Sequence, residues 1–138
     1  MKAAVITPYY KEDISVLRRC HLSVLDQEVN CRHFMVADGF PNDSVSSWDC
    51  EHIILPSSHA DNGNSPRAIG SISAMNQGYQ LLLMLDADNW FCANHVSEAL
   101  RVPRNLRDLP ASDHHKKMPF GIVAADHKCS SNAILSAN

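Results

Sequence analysis

Two aspartates separated by a single alanine, Asp86 and Asp88, have the clearest capacity for chemistry in this chain. They follow the apolar run 81–85, which is long enough for a strand and too short to cross a membrane. Two carboxylates at the mouth of a buried strand repel each other and lose hydration, and a divalent cation offsets that cost. Mg²⁺ or Mn²⁺ held by one or two carboxylates completes its shell with water and substrate phosphates, so the motif predicts a metal and diphosphate site. The alternative is a pair of solvated turn residues, since Asp favours turns.

The segments before this motif are expected to bring further polar residues to the same edge of a sheet. Residues 3–7 predict a first strand, which Pro8 should end because proline has no N–H to donate. Residues 32–37 predict a second strand, closed by Asp38. A helix between two strands makes them parallel, so Asp38 and Pro8 share the carboxyl edge, where ligands bind in open α/β sheets. The apolar positions of this helix, which follows an N-cap at Asp13, are Ile14, Leu17, Cys20 or His21, Val24 and Leu25.

A second helix is predicted after a short strand at 52–55 and a polar, glycine-bearing loop at 57–64. Pro66 marks its start, because proline is tolerated at the first helical position. The helix, 67–77, should end at Gly78. Its expected buried positions are Ile69, Ile72 and Met75.

Arg67 lies in the first turn of this second helix, where the helix dipole favours an anion rather than a cation. A phosphate bound at the helix N-terminus would account for an arginine at this position. The alternative is a solvated arginine that is tolerated at small cost.

The chain as a whole is predicted to form one domain, residues 1–138. A helix capped by Asn94, a polar loop at 104–117 and a strand at 120–124 complete it. With 45% hydrophobic and 20% charged residues, the composition is that of a soluble globular protein. The net charge of −3 and the absence of a basic cluster exclude a nucleic-acid or anionic membrane surface.

The termini and the cysteines predict a cytoplasmic protein. No apolar run is long enough for a transmembrane segment, and the N-terminus enters a strand directly, without a signal-peptide layout. The five cysteines are odd in number and far apart, which predicts neither a disulfide framework nor a zinc site.

Several segments, in order, resemble the nucleotide-binding part of a family 2-like glycosyltransferase of the GT-A fold, over about residues 3–102. They are Val5-Ile6-Thr7-Pro8-Tyr9-Tyr10, Ser23-Val24-Leu25-Asp26-Gln27, Val36-Ala37-Asp38-Gly39, Asp61-Asn62-Gly63 with Arg67-Ala68-Ile69-Gly70, and Asp86-Ala87-Asp88, which matches the DXD metal motif. Ala37 departs from the family pattern, because it replaces the first acid of a Val-Asp-Asp-Gly turn.

The resemblance implies a Rossmann-like three-layer α/β/α fold of the GT-A nucleotide-diphospho-sugar transferase type, mostly parallel and truncated at its C-terminus. It implies a UDP- or GDP-sugar donor, an unknown acceptor, and Mn²⁺ or Mg²⁺ as cofactor. The implied metal ligands are Asp88 and Asp86. The implied nucleotide-sugar-binding residues are Thr7, Pro8, Tyr9, Asp38, Arg67, Asp86 and Ala87. Of these, Pro8, Tyr9 and Asp38 would border the base and ribose, and Arg67 the nucleotide or its diphosphate.

The catalytic base stays unassigned, because the family supplies it from a later segment and this sequence stops at Asn138. The late candidates are Asp113, His114, Asp126 and His127. One alternative is therefore a catalytically incomplete nucleotide-sugar-binding domain, whose exposed face would favour homo-oligomers.

A haloacid-dehalogenase-type phosphatase is another alternative, with Asp86 as nucleophile and Asp88 as acid or base. Those enzymes carry the pair after the first strand, whereas here three predicted strands precede it. A nucleotidyltransferase would need a glycine-rich loop with a basic residue after the first strand, and the sequence has none there.

Overall fold

The computed structural model describes residues 1–101 and 121–124. The elements are β1 (Ala3–Tyr9), α1 (Ile14–Leu25), β2 (Cys31–Asp38), a 3-10 helix (Asp43–Ser47), β3 (Glu51–Leu55), α2 (Asn64–Asn76), β4 (Leu81–Met84), α3 (His95–Arg101) and β5 (Gly121–Ala124). The strand predicted at 120–124 is confirmed, whereas the loop predicted at 104–117 and the late candidate bases lie outside the described residues.

The strands form one sheet in the order β3-β2-β1-β4-β5, and every neighbouring pair is parallel. β1 is buried along its whole length, and its mostly apolar sequence suits a strand that is covered on both faces, as strands of parallel sheets are. The chain runs outward from β1 to β3 and then returns to place β4 on the other side of β1. This reversal creates a topological switch point between β1 and β4, where open α/β sheets bind their ligands.

Helices cover both faces of the sheet, which confirms the predicted three-layer α/β/α architecture. On one face, Val5 packs with Val24 of α1 and Val96 of α3. On the other face, Ile6 packs with Ala74 of α2. Successive residues of β1 thus alternate between the α1 side and the α2 side.

Pro8 does not end the first strand, contrary to the prediction. β1 continues alongside β2, with Pro8 opposite Val36 and Tyr9 opposite Ala37. Its pairing with β4 stops earlier, at Ile6. Proline is tolerated here because β1 has only one neighbour at this point.

The buried face of α2 was predicted wrongly at Ile69 and Ile72, whereas Met75 does pack against the core. Ile69 and Ile72 are 37% and 54% exposed, and the helix begins at Asn64, ahead of the expected start at Pro66. The buried positions are instead Pro66, Gly70, Ser71 and Ala74. A Cβ on Gly70 would lie 2.7 Å from Ile6 Cγ2 and 2.9 Å from Val36 Cγ2, so only small residues allow the helix to come this close.

Two further expectations differ from the structure. Leu25, expected on the buried face of α1, is 49% exposed, because Val24 fills the position against the sheet. Cys92 is disulfide-bonded, which the spacing of the cysteines did not predict, whereas Cys20, Cys31 and Cys50 are free.

None of the helices in the described part of the chain is both long and apolar enough to cross a membrane.

A pair of buried histidines links α1 to the sheet. His33 Nδ1 lies 2.9 Å from His21 Nδ1, and His33 Nε2 lies 2.8 Å from the hydroxyl oxygen of Thr7. The His21 ring also stacks on Trp48. Burial lowers the pKa of both histidines, that of His33 well below 6.5. Both rings are therefore neutral in the folded chain at neutral pH.

This histidine pair predicts loss of stability in acid. The unfolded chain takes up protons below about pH 6.5, where the folded pair does not, so the free energy of unfolding falls as the pH decreases. We expect a fall of about 1.4 kcal/mol per pH unit for each excess proton, measured by urea denaturation between pH 7 and 5. In the double variant His21→Gln, His33→Gln the slope should be less than half as steep, and equal slopes would contradict the assignment.

Candidate active site

A cavity of about 640 Å³ opens at the carboxyl ends of β1, β2 and β4. Its lining contains all but one of the residues that were expected at the site: Pro8, Tyr9, Asp38, Arg67, Asp86, Ala87 and Asp88. The remaining lining residues are Tyr10, Glu12, Ser58, Ala60, Asp61, Asn62, Gly63 and Pro66. Residues far apart in the sequence thus meet at the switch point of the sheet.

The turn after β4 presents both aspartates of the motif. Leu85 N donates to Ile6 O at 3.0 Å, and Asn89 N donates to Asp86 O at 2.9 Å, which closes the turn. Ala87 is buried in the cluster on the α1 side, whereas Asp86 and Asp88 are exposed. The alanine therefore anchors the turn and leaves both carboxylates at the cavity.

Arg67 neutralises the first of these carboxylates. Its Nη2 donates to Asp86 Oδ1 at 2.5 Å, and its Nη1 donates to Asn62 O at 2.8 Å. The Asp88 carboxylate makes no hydrogen bond within the described part of the chain, although its backbone oxygen accepts one from Arg19 Nη2. The electrostatic cost of the acidic pair is thus offset partly by an arginine, and Asp88 has no counter-ion among residues 1–101 and 121–124.

The donor set fits Mg²⁺ or Mn²⁺ better than a metal that needs an all-protein cage. Within residues 1–101 and 121–124, no group of three or more His, Cys, Asp or Glu side chains could hold a metal ion. Asp86 and Asp88 can supply one or two carboxylate oxygens, the number that Mg²⁺ takes when phosphates and water complete its shell.

The loop after β3 hydrogen-bonds the carboxylate of Asp38. The carboxylate is only 6% exposed, and its Oδ1 accepts hydrogen bonds from His59 N at 3.1 Å and interacts with His59 Nδ1 at 2.8 Å. Oδ2 accepts only longer hydrogen bonds, from His59 N at 3.3 Å and from the Ser58 hydroxyl at 3.4 Å. Oδ2 therefore keeps acceptor capacity for a group in the cavity.

The loop before α2 has an unusual backbone. Ala60, Asn62 and Gly63 have φ of 51°, 58° and 81°, a conformation that non-glycine residues adopt rarely. Asp61 Oδ2 accepts from Ser65 N and Oγ, and these hydrogen bonds lower the pKa of Asp61. Its Oδ1 is buried without a hydrogen-bond partner among the described residues. Strained backbone of this kind concentrates at binding sites.

Two tyrosines line the cavity, and Tyr10 is the more exposed of them. Tyr9, expected to border the base, is 2% exposed, and its hydroxyl lies 2.6 Å from His52 Nε2 and accepts from Asn42 N. Burial raises the pKa of Tyr9. Tyr10 is 41% exposed and packs edge to face against Phe40, with the ring centroids 4.8 Å apart.

Thr7 is the expected site residue that the structure does not place in the cavity. Its side chain is fully buried on the α1 side of β1, where it contacts His33 and Cys20. The same burial raises the pKa of Cys20 to about 12. Strand alternation could have indicated this, because residues 3, 5, 7 and 9 share one face.

The fold and the cavity together define a Rossmann-like α/β domain with a polar site at its switch point. The chain matches no family model and no curated protein sequence. Its structure is similar to that of S. aureus TarS 1-349, a glycosyltransferase, with a TM-score of 0.60 and 16% identity. The match covers 72% of this chain and 31% of TarS 1-349.

Two further TarS 1-349 structures match equally well. The complex with UDP has a TM-score of 0.59, and the complex with UDP-GlcNAc has one of 0.60, both at 17% identity. They cover 72% of this chain and 31% and 30% of TarS 1-349. These similarities show the fold alone, which is GT-A-like. The match spans less than a third of the length of each TarS 1-349 chain.

Proposed function

We propose that this chain binds a nucleotide-diphospho-sugar, with UDP or GDP as the nucleotide, and serves a metal-assisted glycosyl transfer. The observation that carries the proposal is the meeting of Asp38, Arg67 and the Asp86-Ala87-Asp88 turn in one cavity. The fold shared with TarS, which was solved with UDP and with UDP-GlcNAc, supports the same class of donor.

Each group in the cavity has a chemical role in this proposal. Asp38 accepts a hydrogen bond from a base N–H or a ribose hydroxyl through Oδ2. Arg67 offers a planar guanidinium that matches the oxygens of a diphosphate. Asp88, with Asp86, holds Mn²⁺ or Mg²⁺, which supplies positive charge against the departing nucleoside diphosphate when it is bound.

The acceptor and the catalytic base are not assigned to described residues. We propose a transfer of the hexosyltransferase type, with the base contributed by a segment other than the described residues. A catalytically incomplete donor-binding domain is the alternative, and it uses the same cavity. A homo-oligomer and a cytoplasmic location stay predictions from the sequence, and the disulfide at Cys92 argues against the second, since disulfides are rare in the cytosol.

Calorimetric titration with UDP and GDP, each with and without Mn²⁺, tests the proposal directly. We expect one of the nucleotides to bind in a Mn²⁺-dependent manner. The absence of binding by both would overturn the proposal. Release of phosphate from phosphomonoesters would instead support the phosphatase alternative, and donor turnover with an added acceptor would separate a transferase from a binding domain.

Tyr10, rather than Tyr9, is proposed to stack on the base. Base stacking on an aromatic side chain contributes about 1–3 kcal/mol. We therefore expect Tyr10→Ala to weaken nucleotide binding by about tenfold, while Tyr10→Phe, which keeps the ring, binds like the unmodified chain. Tyr10→Phe should unfold at the same denaturant concentration as the unmodified chain, whereas Tyr10→Ala also loses the contact with Phe40 and about 0.5–1.5 kcal/mol of stability. Unchanged affinity in Tyr10→Ala would exclude this role.

A further inference from the structure

The positive charge of Arg67 lies next to Asp86, where it would repel a cation that binds the two aspartates. Its guanidinium contacts Asp86 through Nη2 and the backbone oxygen of Asn62 through Nη1. All three residues line the cavity together with Asp88. An arginine keeps its proton in a protein, so the guanidinium beside Asp86 is positively charged at every accessible pH.

We propose that Arg67 is an exchangeable counter-ion that couples cation binding at Asp86 and Asp88 to the arrival of the nucleoside diphosphate. This inference rests on the proposed function and adds an order of events to it. In the free chain Arg67 holds Asp86, and in the donor complex it contacts the diphosphate.

In the free chain, Arg67 opposes the binding of a cation at Asp86. A divalent cation that binds Asp86 must approach a carboxylate whose Oδ1 is already paired with a guanidinium, and like charges at contact distance repel strongly. Of the two aspartates, only Asp88 then has a carboxylate that no described residue pairs with. A single exposed carboxylate binds Mg²⁺ or Mn²⁺ weakly, because these ions keep their water shell unless several oxygens replace it.

A bound diphosphate would remove this opposition. It carries negative charge on oxygens that match the guanidinium fork, so it competes with Asp86 for Arg67. When Arg67 moves to the diphosphate, Asp86 loses its counter-ion, so Asp86 and Asp88 together would hold the cation. By thermodynamic linkage, the nucleotide then raises the affinity for the cation by the same factor as the cation raises the affinity for the nucleotide.

The loop before α2 gives Arg67 a fixed pivot for this exchange. The left-handed backbone of Asn62 and Gly63 turns the Asn62 oxygen toward Arg67 Nη1. A Cβ on Gly63 would lie 3.2 Å from the same Nη1, so the absence of a side chain leaves room for the guanidinium. Arg67 N also donates to Gly63 O at 3.0 Å, which fixes the base of the side chain to the loop.

The test is Mn²⁺ binding measured by the electron paramagnetic resonance of the free ion, with and without UDP. Each titration is compared with the same mixture lacking the protein, because UDP itself binds Mn²⁺. For the unmodified chain we expect weak binding of Mn²⁺ alone and an increase on the order of tenfold or more with UDP. In Arg67→Gln, Mn²⁺ alone should bind more tightly than to the unmodified chain, and the increase caused by UDP should shrink. Arg67→Lys keeps the charge and should still bind Mn²⁺ weakly without UDP.

Arg101→Gln is the matched control for net charge, because Arg101 pairs with Glu98 and does not line the cavity. It should bind Mn²⁺ like the unmodified chain. The proposal is overturned if UDP does not change the Mn²⁺ affinity of the unmodified chain, or if Arg67→Gln leaves the affinity for Mn²⁺ alone unchanged. In either case, UDP binding by the unmodified chain would leave the proposed function standing, whereas no UDP binding at all would remove both.

Discussion

Replacing Asp88 with asparagine should abolish metal-dependent nucleotide binding and leave the fold intact. The side chain is exposed, and its carboxylate makes no hydrogen bond in the described part of the chain, so the free energy of unfolding should change by less than about 0.5 kcal/mol. The proposed metal site, however, would lose the one carboxylate of the motif that no described residue pairs with. Changes to residues that only support a metal ligand weaken metal sites by about 10–100-fold, and loss of a ligand itself should exceed this.

The Asp88→Asn experiment needs a control for the loss of one negative charge. Asp49→Asn provides it, because Asp49 is exposed and pairs with Arg32 outside the cavity. Titration of both variants with UDP and Mn²⁺ should show binding by Asp49→Asn and none by Asp88→Asn at the same concentrations. Equal Mn²⁺-dependent affinities would show that Asp88 does not hold the metal.

Replacing Gly39 with alanine should cause the largest loss of stability among the changes at the site. Gly39 has φ of +85°, and a Cβ there would lie 2.4 Å from Ser58 N and 2.7 Å from Ser57 C, which are backbone atoms that cannot rotate away. Left-handed strain and overpacking together should lower the free energy of unfolding by about 3 kcal/mol. The displaced loop carries His59, so Asp38 should lose its support and nucleotide binding should weaken as well.

Gly78→Ala separates the two causes. Gly78 has almost the same backbone conformation, φ of +83°, but a Cβ there would meet nothing within 4 Å. It should therefore lower stability by about 1 kcal/mol through strain alone and leave nucleotide binding unchanged. Urea denaturation of the two variants measures the difference, and a Gly39→Ala variant as stable as Gly78→Ala would refute the close approach of the two loops.

The layers and the parallel sheet could be predicted because they depend on apolar runs bounded by turn residues. The four leucines of the run 81–85 and the strand around Val5 are buried, and apolar runs of this kind can be recognised from one sequence without an alignment. The buried face of α2 could not be predicted in the same way. Hydrophobicity favours Ile69 and Ile72 as the buried positions. The helix instead packs close to the sheet at Gly70, and the spacing of apolar residues does not indicate that close approach.

The site was predictable where a residue follows a strand and less so where loops meet. Asp38 and Asp88 were placed by strand ends alone, and both line the cavity. Tyr9 lines the cavity as expected, but its burial was not predicted, because β1 continues past Pro8 and includes Tyr9. The contact between Asp38 and His59 joins segments whose approach depends on Gly39, and no spacing in the sequence indicates it.

The most direct test of the central claim, that a metal and a nucleotide diphosphate bind at the turn after β4, is Mn²⁺-induced broadening of amide signals in a nitrogen-15 correlation spectrum with UDP present. We expect the broadening to centre on residues 86–88 and to reach Asp38 and Arg67, and to disappear in Asp88→Asn. Broadening centred on another part of the chain, or none when UDP and Mn²⁺ are both in excess, would contradict the account.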